Sequence, residues 1–517
     1  MKHLLKNNWR ILSLSILAGF FFFVYFFLTI TTWNENLKFN SPDETANYFF
    51  AKRFAETGKI AYFEPLNLEV GDIIHPRSTQ AMDGKIAPTS FLGIILLYGF
   101  IAKIFGIWII PFLTPLLAVI GVLFFYKLIK KIFDKNIAFF SSLLLFFCPV
   151  FWYYSEKSMY HNIGFAVFVI IGLYFFSAKN RIVSGLFFGL AIAFRSSEIF
   201  LLMLFFLILF FFYKKQINFK QAIFFLAGLI LPLFPILYFN SQLYGNPFIS
   251  GYTANIQSAD SGSANIFSIF LKLFFPFGFY PLKALTNFYN YFFQLFWFLA
   301  IPSILGFFIF LKTKKTKTQK IYLSLYSLIS VWLIFYYGSW QIKDNISASD
   351  IIIGNSYVRY WILIYVFALP FFVVFLKKIY NQKRRFFIFA IIAVYSVFSI
   401  NVAMLSGEES ILSVRKNILS YQKTADEVFK TTEKNAIIIT AYGDKNFFPQ
   451  RKIIRSEIDD YFVFEKINKI VDDIPIYYYN NLISEADAEF ISDKKIKKYG
   501  LRLEKITDGL YKINKLP

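Results

Sequence analysis

The sequence predicts an all-α polytopic membrane protein with a small extramembrane α/β domain at its C-terminal end. Three observations predict it. The 517 residues are 57% hydrophobic and 22% aromatic, with 71 Phe, and only 17% are charged, against a usual share of about 25%. Apolar runs of about 20 residues, the length that crosses a hydrocarbon core, recur as far as residue 404. Beyond it acids and bases balance and long apolar runs vanish.

The chain opens with "MKHLLKNNWR" and an uncharged stretch from Ile11 to Thr32. That stretch is too long for a signal peptide and no small-x-small cleavage site follows, so it reads as an uncleaved anchor. The single cysteine, Cys148, lies in an apolar run. It excludes an intramolecular disulfide and a cysteine-based zinc site. A net charge of +22 would suit a nucleic-acid binder, but its distribution argues otherwise. Segments 2–10, 127–135, 179–181, 214–220, 312–320 and 377–385 hold 22 basic residues against one acid, Asp134. Short basic loops between apolar runs stay cytoplasmic because Lys and Arg resist translocation. The charge sets topology, and no polyanion partner is indicated.

About eleven spans join these loops. The first is followed by runs at 107–126, 137–154, 162–178, a pair within 182–213, 222–239, 293–311, 321–337, 361–376 and 386–403. The run from Phe91 to Ala102 rises only about 18 Å as a helix. Counting it as a span would also strand the basic segment 127–135 outside. Residues 89–105 therefore read as an interfacial helix, and 33–106 as one extracytoplasmic loop with two such helices. The transmembrane domain covers 1–404. In 405–517, "NAIIIT", "RKIIRS" and "IPIYYY" read as strands and "YQKTADEVFKTT" as a helix, a small soluble α/β domain outside the membrane. The N-terminus falls inside and the C-terminus outside. No internal repeat is evident.

The first loop begins with "KFNSPDETANYFFAKRFAETGKI". Ser41-Pro42-Asp43-Glu44 fits an N-cap serine, a proline at N1 and a glutamate at N3, a capping box that accounts for Glu44. The box does not use Asp43, although an acid in a first turn suits the helix dipole. Gly58 suits the helix end. Residues 182–213 lie between two inside loops, so the chain must turn near Arg195, and from Arg181 to Phe194 it rises only about 20 Å. Arg195 then stops within the outer half of the membrane, a position that demands an anionic partner or a wet cavity.

A carboxylate at the outer membrane edge, with an arginine at similar depth, suits transfer of a sugar from a polyprenyl-phosphate carrier to a hydroxyl. A hydroxyl is a weak nucleophile that needs a positioned base. The departing lipid phosphate needs cationic stabilisation but no acid. The sequence also resembles the GT-C glycosyltransferases, most nearly family 39, which includes the protein O-mannosyltransferases and lipid A aminoarabinose transferases. The resemblance rests on "SPDETANYFFAKRFAETGKI", the interfacial helix ending "IFG", "LAIAFRSSEIFLL", "YFNSQLYGNPFISGY" (238–252) and "GNSYVRYW" (354–361), and covers about residues 10 to 400 in order. It implies that Asp43 is the catalytic base with Glu44 its neighbouring acid. It also implies that Arg195 and Arg359 sit near the donor phosphate, that the donor is a lipid monophosphate sugar and that a metal is not generally required. "KIAPTSFLG" departs from the family pattern in having one proline where a pair usually stands, and the C-terminal domain matches no family we can name.

Further candidate substrate contacts are Glu156, Lys157, His161, Tyr252, Tyr357 and Lys85. Each also has an ordinary reading. Glu156 could orient the acceptor or hold a divalent cation with Glu44, or form a solvated pair with Lys157. His161 and His75 are satisfied by water or backbone as readily as by phosphate. Arg359 could snorkel to headgroups, and Tyr252 could anchor the interface. Lys85 and Arg77 could reach a phosphate or remain solvated. Three histidines make a His-rich metal site improbable. The expected protein is thus an extracytoplasmic-face glycosyltransferase of the plasma or inner membrane, acting on a protein, lipid or glycan hydroxyl. The alternatives are a transporter or flippase of a lipid-linked sugar, which calls for midplane ionisable residues and pseudo-symmetric halves, and a non-catalytic scaffold.

Overall fold

The computed structural model describes residues 2–34, 36–214, 218–257, 275–342, 351–380, 385–457 and 460–516. The basic residues expected within 215–217 and 381–384 lie outside the described residues. Contacts gather the chain into two compact units, one of 1–30, 112–236 and 260–414, the other of 31–111, 237–259 and 415–517.

The first unit is helical. Every one of the eleven segments expected to span forms helix. Among the described residues, six helices are long and apolar enough to cross a membrane, or up to nine if each of three bent pairs is one span. His161–Ser177 and Arg181–Phe194 are apolar but shorter. With the apolar composition, these helices make the chain a multi-pass membrane protein.

Close helix contact depends on glycine. A Cβ on Gly228 would lie 2.1 Å from the Ile182 carbonyl oxygen, and one on Gly185 would lie 2.0 Å from that of Phe225. The Arg181–Phe194 and Phe219–Ile230 helices therefore meet backbone to backbone, as small residues allow where lipid supplies no hydrophobic drive. In the same way Gly306 brings Trp297–Leu311 against Ile362–Ile379.

The second unit combines the first loop with the C-terminal region. Its loop sheet has strands β1 (Tyr62–Phe63), β2 (Thr79–Met82) and β3 (Lys85–Pro88) in the order β1-β3-β2, all antiparallel. The β2–β3 turn is Asp83-Gly84, both at positive φ, the geometry that favours this dipeptide in tight hairpins. The C-terminal sheet has β4 (Ile437–Thr440), β5 (Lys452–Arg455), β6 (Ile476–Tyr479), β7 (Leu501–Thr507) and β8 (Leu510–Lys515), ordered β5-β4-β6-β8-β7. β4 runs parallel to β5 and β6, whereas β8 is antiparallel to β6 and β7. The three strands read from sequence are β4, β5 and β6.

The first loop helps to fill both faces of this sheet. Val70 and Ile74 are buried with Ile437, Ile439, Ile454 and Ile476 on one face. Phe49 and Tyr62 pack against Ile438, Ile453 and Tyr477 on the other. The expected interfacial helix forms as Leu92–Phe105, ended by Gly106. It packs on Pro42–Thr57 where Gly99 meets the Ala51 carbonyl, and leaves Phe100, Ile104 and Phe105 exposed.

Candidate active site

In the second unit, the Pro42–Thr57 helix starts as the sequence suggests. Ser41 is the N-cap, Pro42 follows it, and Gly58 ends the helix at φ 71°. The Ser41 hydroxyl accepts from the Asp43 N–H at 3.2 Å, one residue earlier than the bond expected at Glu44. Glu44 is buried, with 3% of its surface exposed, and Asp43 is half-buried.

Ser78 donates from Oγ to Asp43 Oδ1 at 2.5 Å. Its backbone has φ 60°, a left-handed conformation uncommon outside glycine, and its carbonyl accepts from Thr89 N–H at 2.9 Å. This partner of Asp43 was not legible in the sequence, because nothing in "HPRSTQ" marks one serine for it.

The 238–252 motif braces the loop sheet. Lys85 donates from Nζ to the Gln242 carbonyl at 2.6 Å. Tyr244 donates to the Pro88 carbonyl at 2.6 Å. A Cβ on Gly251 would meet that same carbonyl at 2.4 Å. Tyr252 packs on Phe91, ring centroids 4.8 Å apart. Lys85 is thus a strut between chain segments, and Tyr252 is partly exposed beside Phe91.

In the first unit, the helix from Arg181 breaks at Arg195 and resumes at Ile199, the turn that the basic loops required. Arg195 is 6% exposed. Its Nε and Nη2 lie 3.2 and 3.1 Å from Glu198 Oε1, and Nη2 donates to the Tyr337 hydroxyl at 2.8 Å. Tyr337 in turn donates to Glu198 at 2.5 Å. Of the two environments expected for Arg195, an anionic partner or a wet cavity, the structure supplies the anion in Glu198, three residues along and 2% exposed, within the quoted motif "LAIAFRSSEIFLL". A search for the nearest carboxylate would have found it.

Tyr360 joins the two arginines. The Arg195 guanidinium lies 4.8 Å from its ring and that of Arg359 lies 5.3 Å from it, distances at which a cation is attracted to the ring face. Arg359 also lies 4.7 Å from the Tyr160 ring and donates to Ser356 Oγ at 2.7 Å. The spacing of Ser356, Arg359 and Tyr360 in "GNSYVRYW" places all three on one helical turn.

The remaining candidates separate. Lys157 is buried and its Nζ lies 3.4 Å from Glu409 Oε2, with the Tyr153 and Tyr160 rings beside it. Glu156 ends the Pro149–Glu156 helix. His161 is buried and starts the next helix, followed by Asn162, which donates to the Arg359 carbonyl at 3.0 Å. Tyr357 is buried, with its hydroxyl on the Trp340 carbonyl and its ring on Trp361. Among the described residues, no group of three or more His, Cys, Asp or Glu side chains converges to hold a metal.

Residues 92–239 match the family model described as dolichyl-phosphate-mannose-protein mannosyltransferase. Among solved structures, the chain is similar to the Archaeoglobus fulgidus oligosaccharyltransferase in the apo form. The identity is 12% and the TM-score 0.55, over 99% of this chain and 75% of that one. It is also similar to AglB from the same organism in complex with an inhibitory peptide and a dolichol-phosphate, at 12% and 0.52 over 99% and 74%. ArnT from Cupriavidus metallidurans in the apo state matches at 10% and 0.54, over 97% and 98%. A comparison with curated proteins finds no match. The chain shares the fold of these structures, the GT-C fold expected from the motifs, and the family match falls within the region of the resemblance.

Proposed function

We propose that the protein is a lipid-phosphosugar-dependent glycosyltransferase that moves a sugar from a polyprenyl phosphate to a hydroxyl acceptor, with inversion at the anomeric carbon. The GT-C fold and the mannosyltransferase family match support the reaction class. The observation that carries the assignment of the base is Asp43, a half-buried carboxylate fixed at a helix start by the Ser78 hydroxyl at 2.5 Å. A fixed carboxylate that solvent still reaches is what a weak hydroxyl nucleophile requires.

In the reaction, Asp43 takes the acceptor proton as the acceptor oxygen bonds to the anomeric carbon. The bond from that carbon to the phosphate oxygen breaks in the same step. Polyprenyl phosphate leaves as an anion, and the guanidinium groups of Arg195 and Arg359 stabilise it. Turnover needs no metal. The basic loops face the cytoplasm, and the reaction takes place at the extracytoplasmic face of the plasma membrane.

The test uses purified protein in nanodiscs with dolichyl and undecaprenyl phosphates carrying mannose, glucose, galactose or aminoarabinose. Release of free polyprenyl phosphate, unaffected by EDTA, is expected with at least one donor and a hydroxyl acceptor, and the product has the opposite anomeric configuration. Saturable donor binding without release across a broad acceptor panel would instead indicate a transporter or scaffold. Retention of configuration would exclude single displacement.

A further inference from the structure

Arg77, next to Ser78 in sequence, is held by the C-terminal region at four points. Its backbone N–H and Nε donate to the Asp444 carboxylate, each at 2.9 Å. Its Nη2 reaches Asp444 Oδ1 at 2.5 Å and the Tyr442 carbonyl at 2.8 Å. Asp444 is 1% exposed, so its carboxylate meets Arg77 through charge-assisted bonds on a side closed to water. On the other side of Asp43, Lys445 donates from Nζ to the Asn40 carbonyl at 2.6 Å and to the Tyr421 hydroxyl at 3.1 Å. Asp444 and Lys445 thus hold both chain segments that lead to Asp43, the Asn40–Ser41 approach and the Arg77–Ser78 turn.

From this geometry we infer that the consecutive Asp444 and Lys445 position Asp43, which gives the C-terminal region a part in setting the base. The inference rests on Asp43 being the base. Ser78 keeps its left-handed backbone while Arg77 is clamped on one side and Thr89 bonds the Ser78 carbonyl on the other. Releasing Arg77 lets that turn relax toward an ordinary conformation and carries the hydroxyl away from Asp43. A displacement of about 1 Å at a reacting group costs on the order of 100-fold in rate.

Asp444→Asn keeps the shape of the clamp and removes its charge. In full-length protein in nanodiscs, with the panel donor giving fastest release and an aliphatic alcohol acceptor, kcat is expected to fall about 10- to 100-fold. Donor KM should change less than about two-fold, because only the base is displaced. A p-nitrophenol acceptor is ionised at working pH and needs no base, so with it the kcat loss should shrink to about two-fold. A structural defect would lower both acceptors equally, and that result would overturn the inference. So would wild-type kcat with the alcohol. Asp43→Asn is run in parallel. If it retains turnover with the alcohol, the base assignment fails, whereas a loss in Asp43→Asn alone sinks only the clamp. If Asp444→Asn does not fold, Ser78→Ala removes the last link and must show the same acceptor dependence.

Discussion

Glu198→Gln tests how the fold tolerates Arg195 where its helix breaks. The substitution keeps shape and volume but removes the negative charge from the pair. Leaving a buried charge without its partner costs about 3–5 kcal/mol. The amide oxygen still accepts a charged hydrogen bond of about 1.5 kcal/mol, and the Tyr337 and Tyr360 rings stay beside the guanidinium. The net loss should be about 2–3 kcal/mol. Unfolding in mixed detergent–SDS micelles would measure it, as a double-mutant cycle with Arg195→Met. A coupling near the same size is expected, since the charge has value only while its partner is present. Additive single effects, within about 0.5 kcal/mol, would refute the reading that Glu198 compensates Arg195. Added polyprenyl phosphate should stabilise Glu198→Gln more than wild type, because its phosphate supplies the missing anion. Equal stabilisation would remove Arg195 from the donor site.

Lys38, outside the spans, is buried and donates to Gln450 Oε1 at 2.8 Å. Burial pushes its amine down to about 7, against the opposing pull of Asp426. Below that pH the amine is charged in folded and unfolded chains alike, and the full cost of burying it is present. As pH rises from about 7 toward 10.5, only the unfolded chain stays protonated and stability increases, by up to about 1.4 kcal/mol per pH unit. Unfolding at pH 7, 8 and 9 should show that slope in wild type and lose it in Lys38→Met, and parallel profiles would contradict it. Gly228→Leu should cost at least about 2–3 kcal/mol, because its Cβ meets the Ile182 backbone carbonyl. A variant that melts with wild type would show that the two helices can separate freely.

Much of the fold was legible because lipid imposes long apolar helices and basic loops mark their ends. The same logic placed the break at Arg195 and demanded an anion or a wet cavity for it. Choosing Glu198 needed only local spacing and Tyr360 lies in the quoted "GNSYVRYW" beside Arg359, but Tyr337 carries no mark among 33 tyrosines. The loop hairpin was signalled by Asp83-Gly84, and the β7–β8 hairpin by Asp508-Gly509, yet both signals passed unused. That Val70 and Ile74 fill the core of a sheet more than 360 residues away could not be read from periodicity, because a short apolar stretch in a loop looks the same wherever it packs. Asp43 stood out through what the capping box left unexplained, while its hold on Ser78 and the Asp444 clamp are tertiary and invisible in one sequence.

The most direct measurement is single-turnover release of polyprenyl phosphate by wild type and Asp43→Asn, each preloaded with the same lipid-linked sugar and mixed with acceptor. The expected result is equal donor binding and a chemical step at least about 100-fold slower in the variant. Equal rates in the two proteins would contradict the central claim that Asp43 is the base.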